Sequence, residues 1–596
     1  METTILQANM TSGEISPAMH GRVDSEVYYS GLDKAENVVI MGHGGIRRRP
    51  GMSRIQDAEV EFGRMFNFSF STHTDYLIVV GAKKISVFKD GVLASQMGSP
   101  YKLEQLSELD ATQNGDVMII THEKTRPKMI ERWSHGRWTI ENVPLANIPQ
   151  YNFNADPKGK PVQVWSDKHG WPGVCTFFQQ RLWLAGSTAK PNSVWASKIN
   201  AYFDFDIGKG QKDYAIFDTL DSNQLNKIVN LYPGRNLQVY TTGAEFYNTS
   251  PYITADTSAW KISTAYGSKR VTPVMVDGAV LFVDIVGRTV RQSVYEFTED
   301  AYVAKSISLI SEHLIKDVIN MDIVKGTYAD TSDFIFVVNK DGTVAVMNNN
   351  RLIERQGWTK WTTQGEFIDV CVVNKLVYFM VKRQGKYYIE YMNEGTTLDH
   401  NSFHRGKEPV DEKIVFTSTN GNIDDITFKT DQVYQEKAGS GVSISEIDTH
   451  EDQTIAKLNH KVILDNEMMK DIIPGIDKVY FEKEAYSAEV GLDVKIDITT
   501  LPVSVPVKDG QTLMKVKRII QAQILVKDSL GVYVNQKLSP DRQFNIVLDK
   551  ATKPISGLKL IDLLGFDRLS QLEITQKNPL PLEILGIGYK VKINKG

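Results

Sequence analysis

The side chains that could do chemistry in this chain do not form a recognisable catalytic set. Eleven histidines are scattered along the sequence, and His169, His313 and His404 lack partners at the spacing that a metal or a nucleophile needs. The motifs of a serine-hydrolase elbow, a zinc-protease helix, a phosphate loop and a dinucleotide fold are missing. We therefore predict that the protein is not an enzyme and that it uses no metal or cofactor.

Three consecutive arginines, Arg47, Arg48 and Arg49, are a second feature with chemical potential. Clustered guanidinium groups can bind phosphates, but no aromatic residue is interleaved with these three. Surface ion pairs or a contact between subunits are therefore the favoured interpretation, and nucleic-acid binding is the alternative. Arg22 and Asp24 lie upstream in the same region, and we predict that all five residues contact a neighbouring subunit.

The arginine triplet ends an N-terminal arm, residues 1–51, which changes character at Gly44-Gly-Ile-Arg-Arg-Arg-Pro-Gly51. Glycine and proline punctuate the arm, and no period of 3.6 or 2 residues persists. A segment of this kind cannot bury itself, so we predict an extended docking arm that lies on another surface.

The overall composition is that of a globular protein. At 596 residues the chain predicts two to four domains, and the net charge of −4 does not favour a protein that coats nucleic acid. Cys175 and Cys371 lie in apolar, strand-like runs, which predicts two buried free thiols. The start has no secretory signal pattern, and no apolar run reaches the length of a membrane span, so we expect a soluble protein made in a reducing compartment.

Residues 52–391 show a recurring hairpin pattern. Runs of β-forming residues are separated by turns with glycine or charge, and seven such pairs recur about 40 to 65 residues apart. This period is typical of propeller blades, whereas a series of β-sandwiches would place turns every 8–12 residues without the longer repeat. We predict an irregular β-propeller of six or seven blades. The hairpins are 76–80 with 85–88, 117–120 with 128–133, 175–178 with 181–184, 237–240 with 245–247, 280–283 with 290–295, 334–338 with 344–347, and 377–380 with 387–391.

Six tryptophans lie where blades should pack together, and we predict that they fill the spaces between blades rather than form a ligand-stacking row. They are Trp133, Trp138, Trp183, Trp195, Trp358 and Trp361.

One segment departs from the β pattern. Residues 306–319 carry apolar side chains at helical spacing, which predicts an amphipathic helix. The composition changes after residue 391. We predict an inserted β-rich tip over 392–515, and a C-terminal β-domain over 516–596 that forms a platform or nozzle.

Several segments together resemble a known family, the tail tubular protein B or tail nozzle (stabilisation) proteins of short-tailed bacteriophages. The segments keep the family's order over residues 12–361. They are Ser12-Gly-Glu-Ile-Ser-Pro17, Gly21-Arg-Val-Asp24, Glu36-Asn37, Gly45-Ile-Arg-Arg-Arg-Pro-Gly51, Phe177-Phe-Gln-Gln-Arg-Leu-Trp-Leu-Ala-Gly186, Ser193-Val-Trp-Ala-Ser197, Tyr202-Phe-Asp-Phe205, Thr241-Thr-Gly-Ala-Glu-Phe246, Ala265-Tyr-Gly-Ser268, Val280-Leu-Phe-Val283, Arg291 to Tyr295, Ser311-Glu-His-Leu314 and Gln356-Gly-Trp-Thr-Lys-Trp361.

The resemblance implies a structural protein of the virion that forms a ring, expected to be a hexamer, below the portal and adaptor rings. The ring would conduct viral duplex DNA during ejection without sequence specificity. Its implied partners are further copies of itself, adaptor or head-to-tail connector proteins, tail fibres or a plug protein, and the host envelope. The arginines of the arm would then contact a neighbouring copy or the adaptor.

Two other functions remain open from the sequence. A propeller could bind or cleave surface polysaccharide, which needs paired carboxylates on one face, although the blade boxes typical of sialidases are missing. A cytoplasmic scaffold propeller would explain the body of the chain but not the arm motifs.

Overall fold

The fold is known from a computed structural model that describes most of the chain. The described residues are 2–55, 60–154, 159–221, 225–326, 332–350, 355–394, 425–426, 460–464, 467–472, 479–480, 488–507, 510–511, 513, 515–541 and 553–593. Nearly all regular structure in these residues is β-strand.

The N-terminal arm forms six strands and two short helices. The helices are a 3₁₀ turn at Pro17–Met19 and α1 (Glu26–Tyr29). The strands are β1 (Glu2–Gln7), β2 (Gly13–Glu14), β3 (Gly31–Glu36), β4 (Val38–Ile40), β5 (Ile46–Arg48) and β6 (Gly51–Arg54).

Seven blades of four antiparallel strands follow the arm; six are separate four-stranded sheets, and the strands of blade 6 are part of a larger sheet. Each blade is built from consecutive strands except the last. A two-stranded hairpin, β15 (Gln150–Tyr151) with β16 (Val162–Gln163), separates blades 2 and 3. Blade 1 contains β7 (Gly63–Ser71), β8 (Thr74–Gly81), β9 (Lys84–Lys89) and β10 (Val92–Gly98). Blade 2 contains β11 (Asp110–Asn114), β12 (Val117–His122), β13 (Thr125–Ser134) and β14 (Arg137–Asn142). Blade 3 contains β17 (Val174–Phe178), β18 (Arg181–Ala185), β19 (Ser193–Ala196) and β20 (Ile216–Thr219).

The remaining blades continue the order, and two further 3₁₀ segments lie at Leu103–Glu108 and Leu309–Leu314. Blade 4 contains β21 (Ile228–Pro233), β22 (Leu237–Thr241), β23 (Glu245–Asn248) and β24 (Trp260–Thr264). Blade 5 contains β25 (Val274–Val276), β26 (Ala279–Val283), β27 (Val290–Glu296) and β28 (Ala301–Ser306). Blade 6 contains β29 (Val318–Val324), β30 (Asp333–Asn339), β31 (Val344–Asn350) and β32 (Arg355–Trp361). Blade 7 contains β33 (Glu366–Val373), β34 (Leu376–Arg383) and β35 (Lys386–Asn393).

The arm supplies the fourth strand of blade 7. Strand β6 pairs antiparallel with β35, with Arg54 opposite Glu390 and Gly51 opposite Asn393. Blade 7 is therefore built from both ends of the propeller sequence, and this pairing closes the ring.

A separate buried apolar cluster lies between every pair of neighbouring blades, including blades 7 and 1, where Val79 and Met380 belong to one cluster. The first strand of each blade lies nearest the axis, because the first strands of most neighbouring blades contact one another. The predicted β-propeller is confirmed, with seven blades.

The C-terminal domain contains two larger sheets around its own core. Its strands, with those of the segment before it, are β36 (Asp425–Ile426), β37 (His460–Leu464), β38 (Glu467–Ile472), β39 (Val479–Tyr480), β40 (Ala488–Leu492), β41 (Ile496–Thr500), β42 (Pro506–Val507), β43 (Gly510–Gln511), β44 (Lys517–Ser529), β45 (Val532–Val534), β46 (Lys537–Leu538), β47 (Ile555–Asp562), β48 (Glu573–Gln576) and β49 (Glu583–Ile593). Strand β41 belongs to this domain, so the domain begins earlier than the predicted boundary at residue 516. Most of the predicted tip, including 395–424 and 427–459, lies outside the described residues.

Two local predictions are wrong. Residues 306–319 do not form an amphipathic helix but the end of β28, a kinked 3₁₀ segment and the start of β29, with Ser311 in a non-helical conformation. Ile307, Leu314 and Val318 are instead buried between blades 5 and 6, whereas Leu309 is exposed. Trp133 does not pack between blades, because its side chain is 58% exposed on the outer part of blade 2. The other five tryptophans are buried, as are both free cysteines.

Candidate functional site

The arm joins the propeller to the C-terminal domain. Strand β2 lies between β32 of blade 6 and β3, and β3 pairs in turn with β41 of the C-terminal domain. These pairings extend blade 6 into one continuous ten-stranded sheet. We call the arm strands β2 to β6, with the residues that contact them, the arm junction.

Two glycines allow the arm to approach blade 6 closely. A side-chain carbon at Gly13 would overlap the backbone of Trp358, and one at Gly357 would overlap the carbonyl of Thr11. Gly13 also has a φ of +65°, which only glycine adopts without strain. The close backbone contact therefore requires glycine on both sides.

Glu14 is the polar centre of this contact. One carboxylate oxygen accepts a hydrogen bond from the backbone N–H of Ala35 at 2.8 Å, and the other lies 2.9 Å from Nε2 of His313. The hydroxyl of Ser311 donates to the carbonyl of Glu14 at 2.6 Å, and the N–H of Ser16 donates to the carbonyl of Ile310 at 2.7 Å. The 3₁₀ segment before blade 6 is thus bound to the arm.

Arg49 connects the arm to blade 6. Its guanidinium donates to Oδ1 of Asn37 at 3.0 Å and to the carbonyls of Pro50 and Thr362 at 2.9 and 3.0 Å. It also lies 5.4 Å from the ring centre of Trp361. The side chain is 1% exposed, so these partners replace the water that the charge loses on burial.

Arg48 points to the C-terminal domain instead. It donates to Oε1 of Gln576 at 2.8 Å and to the carbonyl of Val494 at 2.7 Å, with Asp493 3.7 Å away. The two neighbouring arginines therefore bind different domains: Arg48 is the last residue of β5, and Arg49 follows the end of that strand.

The predicted subunit contacts need correction at two of five positions. Arg48 and Arg49 are buried inside their own chain, which leaves neither on a surface that a neighbour could reach. Arg47 is half-buried and lies 3.5 Å from Glu394. Arg22 and Asp24 form an exposed ion pair at 2.9 Å that a partner could reach. The arm as a whole also differs from the prediction of an arm lying on another surface, since its described strands pair within the chain.

A second polar cluster lies on the propeller axis where the ring closes. Asp369 of blade 7 accepts hydrogen bonds from the backbone N–H of Met65 at 2.8 Å and from Asn320 of blade 6, and Arg64 of blade 1 lies 3.4 Å away. Arg64 also donates to Oδ1 of Asn320 at 3.1 Å. The cluster links the three blades on either side of the closing strand.

Asp322, on the same inner strand as Asn320, is enclosed by protein but keeps partial access to water. Burial raises the pKa of Asp322 to about 6, although the backbone N–H groups of Val372 and Ile323 donate to the carboxylate, and Arg64 also lowers the pKa. The neighbouring carboxylate of Asp369 acts in the same direction as burial. Burial also raises the pKa of Asp369, against the opposing effect of Arg64.

We expect Asp322 to make stability depend on pH. A carboxyl whose folded pKa exceeds the unfolded value near 3.9 favours the folded state below pH 4, and this contribution is lost as pH rises through 6. Relative to Asp322→Asn, the wild-type free energy of unfolding should fall between pH 4 and pH 7. With partial access to water, the fall should be on the order of 2 kcal/mol, from about 1.4 kcal/mol per pKa unit.

Urea denaturation at four pH values would measure this difference. Asp116→Asn, at an exposed turn of blade 2, is the matched control for general effects of pH and charge. A wild-type minus Asp322→Asn difference that stays constant from pH 4 to pH 7 would contradict the prediction.

A cleft of about 780 Å³ lies between the loops of blades 5 and 6. Four of its charged side chains form pairs, with Lys316 3.1 Å from Asp341 and Lys340 3.1 Å from Asp317. Paired charges of both signs do not converge on one ligand. Among the described residues, no group of three or more His, Cys, Asp and Glu side chains could hold a metal ion.

The sequence did not reveal the most connected polar residues. Glu14 and His313 are 299 positions apart, and Arg64 and Asp369 are 305 apart. No local spacing marks such pairs, and only the succession of blades brings them together. A glycine in each of two unrelated segments, Gly13 and Gly357, was the one available signal of a close backbone approach.

Comparisons with known proteins find distant structural likenesses. No protein-family model matches the chain, and no curated protein matches it. Among solved structures, the WD40 repeats of RRP9 are 7% identical with a TM-score of 0.37, covering 58% of this chain and 99% of that one. YCF48 bound to a D1 peptide is 13% identical with a TM-score of 0.33, covering 57% of this chain and 94% of that one. Raptor of Chaetomium thermophilum is 11% identical with a TM-score of 0.39, covering 58% of this chain and 28% of that one.

None of the helices in the described part of the chain combines the length and apolar character needed to span a bilayer.

Proposed function

We propose that this protein is a structural component of a short-tailed bacteriophage virion, a tail nozzle or tail tube protein. Copies of the chain form a ring below the portal and adaptor, and DNA passes through the ring during genome ejection. Its partners are other copies, the adaptor or connector, fibres or a plug, and the host envelope. The sequence resemblance is the source of the proposed family. The contacts at the arm junction are the physical observations that support the proposal.

One observation carries the proposal: segments that resemble the family, although far apart in sequence, contact one another at the arm junction. The first segment, around Glu14, contacts the segment at Ser311–Leu314. Gly13 packs on Trp358, and the indole of Trp361 donates to the carbonyl of Val38 at 2.9 Å, beside Arg49. If this chain has the architecture of the family, the segments that resemble the family should contact one another, as they do at the arm junction.

The segments in the middle of the chain also pair with one another. Arg181 donates to the carbonyl of Ser197 at 2.5 Å, which joins two of the segments in blade 3. The hydroxyl of Ser268 donates to the buried carboxylate of Glu245 at 2.8 Å, which joins two more beside blade 4. These contacts position strands and loops. Arg181 and Glu245 therefore have a structural role.

The DNA channel of the proposed ring has to lie between copies. Arg64, Asn320 and Asp369, on the innermost strands of blades 1, 6 and 7, are buried against one another, so these three blades are in direct contact at their inner strands. Inner strands in direct contact leave no opening for a nucleic-acid duplex between them. Association of several copies around a common lumen is therefore part of the proposal.

We expect the purified chain to assemble into a closed ring with a central hole wide enough for duplex DNA. Native mass spectrometry would give the number of copies, and negative-stain electron microscopy would show the hole. Antibody labelling of phage particles should place the chain at the tail vertex. A protein that stays monomeric across micromolar concentrations and is absent from particles would contradict the proposal, and would favour a scaffold propeller.

A further inference from the structure

The strand that closes the propeller is joined by a very short connection to a strand bound in the other domain. Strands β5 and β6 are separated only by Arg49 and Pro50. Strand β5 pairs with β49, the last strand of the C-terminal domain, whereas β6 pairs with β35 of blade 7. We call residues 46–54, which contain both strands and the two residues between them, the strap.

The β5 half of the strap is embedded in the C-terminal domain. Ile46 lies opposite Ile584, and both side chains belong to the buried core of that domain. The backbone N–H of Arg48 donates to the carbonyl of Leu582 at 2.9 Å, and its guanidinium donates to Oε1 of Gln576 at 2.8 Å. This half can therefore leave only if the core of the C-terminal domain opens.

The β6 half of the strap fills both interfaces of blade 7. Met52 is buried in the apolar cluster between blades 6 and 7. Ile55, directly after β6, is buried in the cluster between blades 7 and 1, and its N–H donates to the carbonyl of Ile389 at 3.1 Å. The guanidinium of Arg54 lies 4.5 Å from the ring centre of Tyr388. Blade 7 therefore loses contacts on both sides when β6 leaves β35.

Strand β6 depends on its connection to β5 to stay in place. Among the described strands it pairs only with β35, and it has four residues. Edge strands of this kind open locally at a lower free energy than the whole domain. From Arg48 to Gly51 the chain spans at most roughly 11 Å, at about 3.8 Å between consecutive Cα atoms. While β5 stays paired, this connection keeps β6 at a high effective concentration beside β35.

The bend between the two halves is held by both domains. The backbone N–H of Arg49 donates to the carbonyl of Asn37 at 3.0 Å. The side-chain amide of Asn37 donates to Oγ1 of Thr362 at 2.9 Å and to the carbonyl of Lys495 at 2.7 Å. Thr362 directly follows the last strand of blade 6, and Lys495 directly precedes β41 of the C-terminal domain. The strap is therefore fixed at its centre as well as at both ends.

We propose that the strap couples the two domains: pairing of β5 with β49 keeps the propeller closed, and separation of this pair opens blade 7. The coupling is reciprocal by thermodynamic linkage, so loss of β6 from blade 7 also loosens β5. The inference goes beyond the proposed function and does not depend on it, because it concerns a single copy of the chain.

Hydrogen exchange of the intact chain, followed by mass spectrometry, tests the coupling. Ile584→Ala removes buried contacts around β5 in a core that contains no residue of the seven blades. The amides of β6 and β35 should then exchange about tenfold or more faster than in the wild type, because their exchange follows the local opening equilibrium. The amides of β18 and β19 in blade 3 should keep the wild-type rate.

Ile561→Ala is the matched control. Ile561 is buried in the same core, but it lies on β47, which among the described strands pairs only with β44. The substitution should speed exchange within the C-terminal domain and leave the amides of β6 and β35 at the wild-type rate. Equal acceleration of blade 7 by both variants would overturn the role of the strap, because any loss of stability in the C-terminal domain would then reach the propeller.

The reverse experiment starts from the propeller and does not depend on the folding of the Ile584→Ala protein. Met52 on β6 and Met118 in blade 2 are both buried in clusters between blades. Met52→Ala should speed exchange of the β5 amides, including that of Arg48, whereas Met118→Ala should not. Faster exchange that stays confined to the mutated domain would overturn the coupling. Because exchange is measured within one chain, this result is independent of whether copies form a ring.

Discussion

Arg49→Ala is expected to lower the free energy of unfolding by about 3–5 kcal/mol. The substitution removes hydrogen bonds to Asn37, Pro50 and Thr362 and leaves the two carbonyls without this donor in a buried site. It also removes the guanidinium from the face of Trp361. Because Arg49 links the arm to blade 6, the substitution should destabilise both the closing strand β6 and the ten-stranded sheet.

Arg47→Ala is the matched control, since Arg47 lies two residues away on the same arm but is half-buried and contacts Glu394. Its loss should cost less than about 1 kcal/mol, as for other partly exposed ion pairs. Urea denaturation followed by tryptophan fluorescence would compare the two variants, and limited proteolysis would show whether the arm is released. Equal denaturation midpoints for the two variants would contradict a structural role for Arg49.

Arg383→Ala is expected to destabilise blade 7 by about 3–5 kcal/mol, because it leaves a buried carboxylate without its cation. Arg383 of β34 donates two hydrogen bonds of 2.9 and 2.8 Å to Glu390 of β35, and both side chains are fully buried. Arg383 also donates to the carbonyl of Gln364 at 2.5 Å. Strand β35 is the strand that receives β6, so loss of the pair weakens the closure of the ring.

The exposed pair of Lys382 and Glu366, 3.4 Å apart on β34 and β33, is the matched control. Lys382→Ala should change stability by less than about 1 kcal/mol. The double variant Arg383→Met with Glu390→Leu should recover most of the lost stability, because buried ion pairs are often replaceable by apolar residues. If Arg383→Ala behaves like Lys382→Ala in thermal and urea unfolding, the buried pair does not hold blade 7 as we describe.

Both variants also bear on assembly. The proposed ring needs the C-terminal domain and the propeller to keep one relative orientation, which the arm junction provides. A variant that unfolds the arm should therefore reduce the assembled fraction more than it reduces the content of β-structure. Native mass spectrometry and circular dichroism on the same samples would separate the two effects.

The sequence by itself determined the local structure of the propeller. Each hairpin depends on alternation and on a turn within a few residues, as at Asp90 and Gly91, which adopt φ values of 50° and 79°. The spacing of such hairpins then predicted blades, because one blade is formed mostly from consecutive strands. The burial of Cys175 and Cys371 followed from the same apolar strands.

Only the tertiary structure determined that the arm pairs within its own chain and that two of its arginines are buried. Arg48 and Arg49 look like surface charges in sequence because their partners, Gln576 and Thr362, lie 528 and 313 residues away. The helical spacing at 306–319 predicts a helix wrongly for a related reason. Its buried apolar residues are covered by neighbouring blades and do not form one face of a helix, because the chain there passes from one strand to the next. Local patterns specify strands and turns, but the pairing of distant segments depends on which surfaces remain unburied once the blades have formed.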